Sequence, residues 1–268
     1  KSINRHIIPE FGERDFSEIT PKEWFDFFQG LQRNLRIHTQ VEKLTSYCRN
    51  AYDWAKFQAK IHFNPIEGMT KHLDKKVGGN MKFVEMSEFP QLIVDIRNHH
   101  QRKLAIGLEL MALLFPRPVE LRYATWDQFD FDKAIWSKPA EIMKKRIAHV
   151  VPLPRQAITL LKELEQYRTE SELLFAGRNS LSKPISDNTF NMALNRMGYK
   201  DRQNPHGFRH IASTALNNQF SDKAQVVEAS LAHMKKGSKG SYDKATHLEE
   251  RVGMMQWWAD YIDNLVKE

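Results

Sequence analysis

Asn204-Pro205-His206-Gly207-Phe208-Arg209-His210 is the stretch on which the reading of this chain turns. His206 and Arg209, three apart on a helix, share one face, so an imidazole and a guanidinium can reach a single anionic group such as a phosphate. Further along, Leu231-Ala232-His233 supplies a second imidazole as candidate general acid. Tyr242, in the turn-like Gly240-Ser241-Tyr242, supplies a candidate oxygen nucleophile. Upstream, Phe115-Pro116-Arg117-Pro118-Val119-Glu120 places an Arg at a helix start. Met143-Lys144-Lys145-Arg146 places a Lys ahead of the strand-like Val150-Val151-Pro152-Leu153. The order along the chain is Arg, Lys, His-x-x-Arg, His, Tyr.

With these residues the chain resembles the tyrosine recombinases of the phage integrase family, most closely the integrases of prophages, satellite phages and genomic islands. The resemblance runs from about residue 82 to about 262, and it rests on the motifs standing together in the right order. Met254-Met255-Gln256-Trp257-Trp258-Ala259-Asp260-Tyr261 looks like the tail of the same group. Two departures occur in the first Arg box, where Phe115 and Val119 stand at positions that often hold Gly in the family.

The resemblance implies a set of roles. Arg117 and Arg209 would stabilise the equatorial oxygens of a pentacoordinate phosphate, with Glu120 bracing these cations. His206 and His233 would hold the phosphate and help to move protons. Lys144, which fits the family's hairpin lysine better than Lys145 when counted back from Pro152, would protonate the departing 5′ oxygen. Tyr242 would attack and form a 3′-phosphotyrosine link, without cofactor, metal or ATP. The implied partners are double-stranded DNA attachment sites and three further copies of the chain in a homotetramer, with accessory DNA-bending or directionality proteins. The implied setting is the bacterial cytoplasm, in association with the nucleoid.

Bulk properties agree with this picture without proving it. The 268 residues, 41% of them hydrophobic, suffice for one large core or two smaller ones, and two domains fit better. A net charge of +7 favours a polyanionic partner, although an excess of that size decides nothing alone. The single cysteine, Cys48, excludes an internal disulfide and a thiolate metal cluster, which points to a reducing cytosol. No apolar run approaches membrane-spanning length and no signal peptide is visible, so no membrane partner is expected. Lys1 reads like the middle of a domain, and an N-terminal segment is expected to precede it.

The expected fold is mainly α with a small antiparallel β-sheet: a helical core-binding domain over 1–75, a polar linker over 76–82, and an α+β catalytic domain over 83–268. Thr20-Pro21-Lys22-Glu23 is a capping-box start for a helix to about Arg33. Val41, Leu44, Cys48, Tyr52, Ala55 and Ala59 form the stripe of a second helix, from about Thr39 to Lys60. In the second domain, helices are expected from Ser87 to His99, from Leu104 to Leu114, from Arg155 to Tyr167, from Asp187 to Met197, from Pro205 to Asn218 and from Asp222 to His233. Trp126 to Leu153 alternates like short strands, with Lys144 and Lys145 at the hairpin. The last helix carries apolar residues on more than half of its circumference. As an exchange helix does in the family, it is expected to pass to a neighbouring protomer, so that deletion after Thr246 would spare single-site DNA binding and abolish recombination; the bland alternative is that Trp257 and Trp258 complete the core of their own domain.

Three rival readings remain at this point. His206, His210 and His233 could ligate zinc, though His-Gly-Phe-Arg-His lacks the Glu of the common His-Glu-x-x-His hydrolases. The chain could be a silent DNA-binding protein on the same scaffold. A type IB topoisomerase would share the same residue set.

Overall fold

The computed structural model describes residues 1–75, 81–232 and 247–267. The chain forms two compact units, Lys1–Gly79 and Asn80–Glu268.

The first unit is helical. α1 (Ser2–Phe11), α2 (Pro21–Leu35) and α3 (His38–Phe57) pack around Phe11, Trp24, Phe28, Val41, Leu44 and Tyr52. The box at the start of α2 forms as its sequence dictates: Thr20 Oγ1 accepts from the Glu23 amide at 3.3 Å, and Glu23 Oε2 accepts from the Thr20 amide at 2.9 Å. The stripe on α3 is buried from Val41 to Ala55, whereas Ala59 lies past the helix end, exposed and at φ 54°. Within the core the Trp24 indole donates to the Tyr52 hydroxyl, which donates to the Phe16 carbonyl, so both buried polar tips are satisfied. α1 was not anticipated, because Pro9 reads as a breaker. It stands in the last turn, where one lost N–H bond is outweighed by the burial of Ile7 and Phe11.

The second unit is organised on α5 (Arg102–Leu114), buried at every residue from Ala105 to Leu114. Such an all-round apolar helix needs cover on all sides. α4 (Phe89–Arg97), α7 (Arg155–Glu165), α8 (Thr189–Leu194) and α9 (Gly207–Gln219) supply it, together with the last helix. α6 (Pro118–Arg122) follows α5, and α10 (Ala224–Ser230) follows α9. A three-stranded antiparallel sheet runs β1 (Phe129–Asp130), β2 (Ile135–Lys138), β3 (His149–Pro152), with Trp136 opposite Val151 and Lys138 opposite His149. β4 (Ala176–Gly177) and β5 (Ser180–Pro184) add a second hairpin, beyond the strands expected between Trp126 and Leu153. The architecture is thus mainly α with small antiparallel sheets. No described helix is long and apolar enough to cross a membrane.

Some boundaries differ from expectation. α4 starts at Phe89 without a side-chain cap, so Ser87 does not cap it. The expected 187–197 helix begins at Thr189 and gives way to a π-turn at Asn195–Tyr199, inside which Gly198 takes φ 90°.

The final helix is α11 (Leu248–Lys267). Met254, Met255, Trp258, Ala259 and Ile262 are buried in the core of their own unit, and the Trp258 indole donates to the Ala112 carbonyl of α5 at 2.9 Å. Arg97 bridges Glu109 of α5 and Asp263 of α11, at 2.6 and 2.7 Å. One side of α11 buries five apolar side chains at home, while Trp257 and Tyr261 stack at its margin and Val252 is exposed. Removing α11 would open the core of the second unit.

Candidate active site

Arg117 sits at the N-cap of α6, on the loop leaving α5. That loop turns at Phe115, which occupies the left-handed region at φ 38°, ψ 43° while its ring is buried. A Gly would adopt this conformation without strain, and here the buried ring offsets the cost of Cβ. Val119, at the second departure, lies in the regular first turn of α6, where no Gly is required. The Arg-box departures are therefore accommodated by the backbone.

Glu120, wholly buried one turn into α6, gathers the cations. Its Oε1 accepts from Arg117 Nη1 at 2.8 Å, while its Oε2 accepts from the Arg117 amide at 3.2 Å and from Lys138 Nζ at 2.8 Å. Burial pushes the Glu120 carboxyl up, but Lys138 and Arg117 outweigh it and hold the group below the usual carboxylate range. Lys138 is 4% exposed, its ammonium 5.0 Å from the Trp136 ring centroid. Burial brings Lys138 down to about 8; Glu120 opposes the shift, and Arg209 and Arg117 add to it. At neutral pH the pair stays charged.

Arg209, on the first turn of α9, is held differently. Nη1 donates to the Phe115 carbonyl at 3.0 Å and Nη2 donates to the Leu231 carbonyl, tying α9 to the Arg117 loop and to the end of α10. Burial, then Arg117, lowers its guanidinium to about 10. His206 is the N-cap residue of α9, and burial, then Arg209 and Arg117, pushes its imidazole below the ordinary range. His206 is thus neutral near pH 7 and able to accept a proton. Gly207 beside it is required by close approach: a Cβ there would meet the Lys82 carbonyl at 2.6 Å and Phe83 Cβ at 2.9 Å. The Asn204 amide donates to the Lys82 carbonyl and the Val84 amide donates to Gln203 Oε1, so residues 82–84 are laced to the His206 loop.

The β2–β3 connection brings the lysines in. Met143 to Arg146 form a turn closed by the Arg146 amide on the Met143 carbonyl, with Lys144 and Lys145 at its centre. A small cavity is lined by Arg117, Met143, Lys145, Ile147, Ala148, His149 and Ala232. Lys145 lines it, and Lys144, the lysine expected to act, stands beside it; both are exposed on the same turn. Counting back from Pro152 cannot resolve which way a tight turn faces. His233 and Tyr242 lie outside the described residues. The structure thus brings together Arg117, Glu120, His206 and Arg209.

Three residues of this cluster escaped the sequence reading. Lys138 had a signal, since strand alternation puts it on the same face as the buried Trp136. His149, opposite Lys138, is lowered to about 2 by burial first, then by Lys138, Arg251, Arg209 and Arg117. Arg251 of α11 donates to the Val150 carbonyl at 2.6 Å and lies 3.3 Å from His149 Nε2. Its sequence context, one Arg on an amphipathic helix, carried no signal. Arg117, Lys138, Arg209 and Arg251 bring four cations together, against the Glu120 carboxylate and the Glu228 carboxylate that acts on Arg209, an imbalance suited to an anionic ligand. Among the described residues no group of three His, Cys, Asp or Glu could hold a metal ion. His210, needed by the zinc reading, is exposed with its ring 4.3 Å from that of Phe83.

Comparison with known proteins bears on the identity of this arrangement. A family profile described as "Phage integrase family" matches residues 82–248. The putative protein IntB of Escherichia coli K12 is 31% identical over 98% of this chain and 70% of its own length. The integrase of Enterobacteria phage P4 is 32% identical over 97% of this chain and 63% of its own, and prophage integrase IntZ of E. coli K12 31% over 99% and 65%. This chain therefore spans about two thirds of the length of these relatives. Among solved structures, the Tn1549 transposon integrase in complex with circular intermediate DNA has a TM-score of 0.67 at 12% identity, covering 87% of this chain and 84% of that one. A lambda integrase tetramer bound to a Holliday junction has a TM-score of 0.66 at 16% identity, covering 90% and 68%. The fold is shared with these structures; the sequence relationship goes further, and by it the chain belongs to the phage integrase family, the tyrosine recombinases of prophage and satellite-phage type.

Proposed function

We propose that this chain cleaves and rejoins double-stranded DNA as a site-specific recombinase that integrates or excises a mobile element. The observation that carries the reading is the convergence of Arg117, His206 and Arg209 around a site where buried cations outnumber carboxylates. A phosphodiester gains negative charge at its equatorial oxygens on the way to the pentacoordinate state, so fixed guanidinium donors stabilise that state more than the ground state.

In this scheme Tyr242 Oη attacks phosphorus and the bond from phosphorus to the 5′ oxygen breaks. The tyrosyl proton passes to an imidazole, His233 or the neutral His206. A lysine of the Met143–Arg146 turn protonates the leaving oxygen; Lys145 lines the cavity and Lys144 stands beside it. The 3′-phosphotyrosine link keeps the bond energy, so a 5′-hydroxyl from another duplex reverses the step. The positive charge comes from side chains, and no cofactor or metal is invoked. The first unit would clamp the duplex. Four copies on two attachment sites, assisted by accessory DNA-bending or directionality proteins in the bacterial nucleoid, complete the proposal.

The test is incubation with a nicked suicide duplex carrying the attachment core, in the presence of chelator, followed by denaturing gel analysis. The parent is expected to form a covalent protein–DNA adduct, and Tyr242→Phe to bind the duplex but form none. Undiminished adduct in the variant would remove Tyr242 from the scheme. Loss of cleavage in chelator, restored by zinc, would overturn the metal-free mechanism.

A further inference from the structure

We infer that Lys138 is a positioning residue for Arg117: by holding one oxygen of Glu120 it orients the carboxylate and offsets its charge, leaving Arg117 its full charge for the phosphate. The inference rests on the recombinase reading for its consequence, though not for its geometry.

A buried ammonium is costly, and an apolar side chain would fill the inward position beside Trp136 more cheaply. What Lys138 does there follows from the partners of Glu120. With Lys138 in place, Oε2 is occupied at 2.8 Å and Oε1 faces Arg117 Nη1 at 2.8 Å. The three groups then sum to one positive charge, the same as Arg117 alone. Without Lys138, Arg117 and the wholly buried Glu120 would sum to zero, and the carboxylate could swing Oε2 toward Arg117 or take up a proton. Either change moves the guanidinium that faces the cavity. Lys138 itself is too deeply buried to meet DNA, so its effect should reach the reaction through Glu120.

Lys138→Met keeps the length of the stem against Trp136 and removes the charge. The expected result is single-turnover cleavage of the suicide duplex slowed about tenfold, the scale of one hydrogen bond to a charged group. Affinity for the duplex should stay within about twofold of the parent, since no phosphate contact is lost. In Glu120→Gln, adding Lys138→Met should slow cleavage no further, because the route is already cut. The side-chain Nε–Hε resonance of Arg117, assigned by its loss in Arg117→Lys, should shift in Lys138→Met without DNA. Parent-like cleavage in Lys138→Met, penalties that multiply with Glu120→Gln, or an unmoved Arg117 resonance would each overturn the inference. Should Lys138→Met fail to fold, the double variant still decides, as it leaves no unpaired buried charge: cleavage equal to Glu120→Gln supports the route and further loss overturns it. A parent that forms no adduct would count against the recombinase reading, while the Arg117 resonance would still decide the role of Lys138.

Discussion

The two arginines of the site are mounted in opposite ways. Arg117 is held by a carboxylate, which supports it and offsets its charge; Arg209 is held by two backbone carbonyls, which support it and offset none. Burial, then Arg117, lowers the Arg209 guanidinium to about 10. A carbonyl mount preserves charge and spends stability, whereas a carboxylate mount is comfortable but needs a third partner to restore the lost charge. Lys138 is that partner.

The largest effect should come from breaking the carbonyl mount. A lysine at 209 has one ammonium in place of a fork and cannot satisfy Phe115 and Leu231 together as the guanidinium does. Arg209→Lys should slow single-turnover cleavage by about 10²-fold to 10³-fold, the scale of a lost oxyanion donor. Arg117→Lys can still pair with Glu120 and should lose only about tenfold, the scale of a lost charged hydrogen bond. Equal losses would erase the distinction between the mounts.

A smaller effect should come from the loop that carries one of those carbonyls. Phe115→Gly relieves a left-handed backbone, worth about 1–2 kcal/mol, but deletes a buried aromatic side chain worth about 3–5 kcal/mol. The variant should be destabilised by about 1–4 kcal/mol in denaturant melts of the second unit, from the difference of those two effects. A stabilised variant would mean that strain, and not packing, governs the loop.

The smallest effect concerns acid. His149 is held neutral by burial and by the surrounding cations, down to about 2 from an ordinary 6.5. The unfolded chain binds a proton there below about pH 6.5 while the folded chain does not, so this contribution to stability is complete above that pH and is lost as pH falls through it. His206 shifts in the same direction. Urea midpoints of the second unit, measured between pH 7.5 and 5, should fall with acid in the parent and less in His149→Gln. Identical slopes would show that the cation cluster leaves His149 unperturbed.

What could be read from the sequence divides along physical lines. The capping box of α2, the all-round apolar run of α5 and the His206–Arg209 spacing are local signals, and each survives in three dimensions. The β4–β5 hairpin was missed because Ser180-Leu181-Ser182-Lys183 is short and largely polar, with no buried face to impose alternation. α1 was hidden by Pro9. Lys138 was legible by position yet overlooked by type, since a lysine in a strand is ordinarily solvated. Arg251 and His149 join the cluster only through the pairing of α11 with β3, and no local pattern encodes that contact. The choice between Lys144 and Lys145 depended on the phase of a turn, which counting does not determine.

The crossing at Gly207 carries a last consequence, for dissection of the molecule. The chain entering the second unit lies against the His206 loop so closely that one methyl group would not fit between them. Lys82, which reads as the end of a tether, is therefore part of the catalytic edifice together with Phe83 and Val84. A fragment cut after Val84, or a permuted chain reopened there, would lose a wall of the site while keeping every residue named in the reaction.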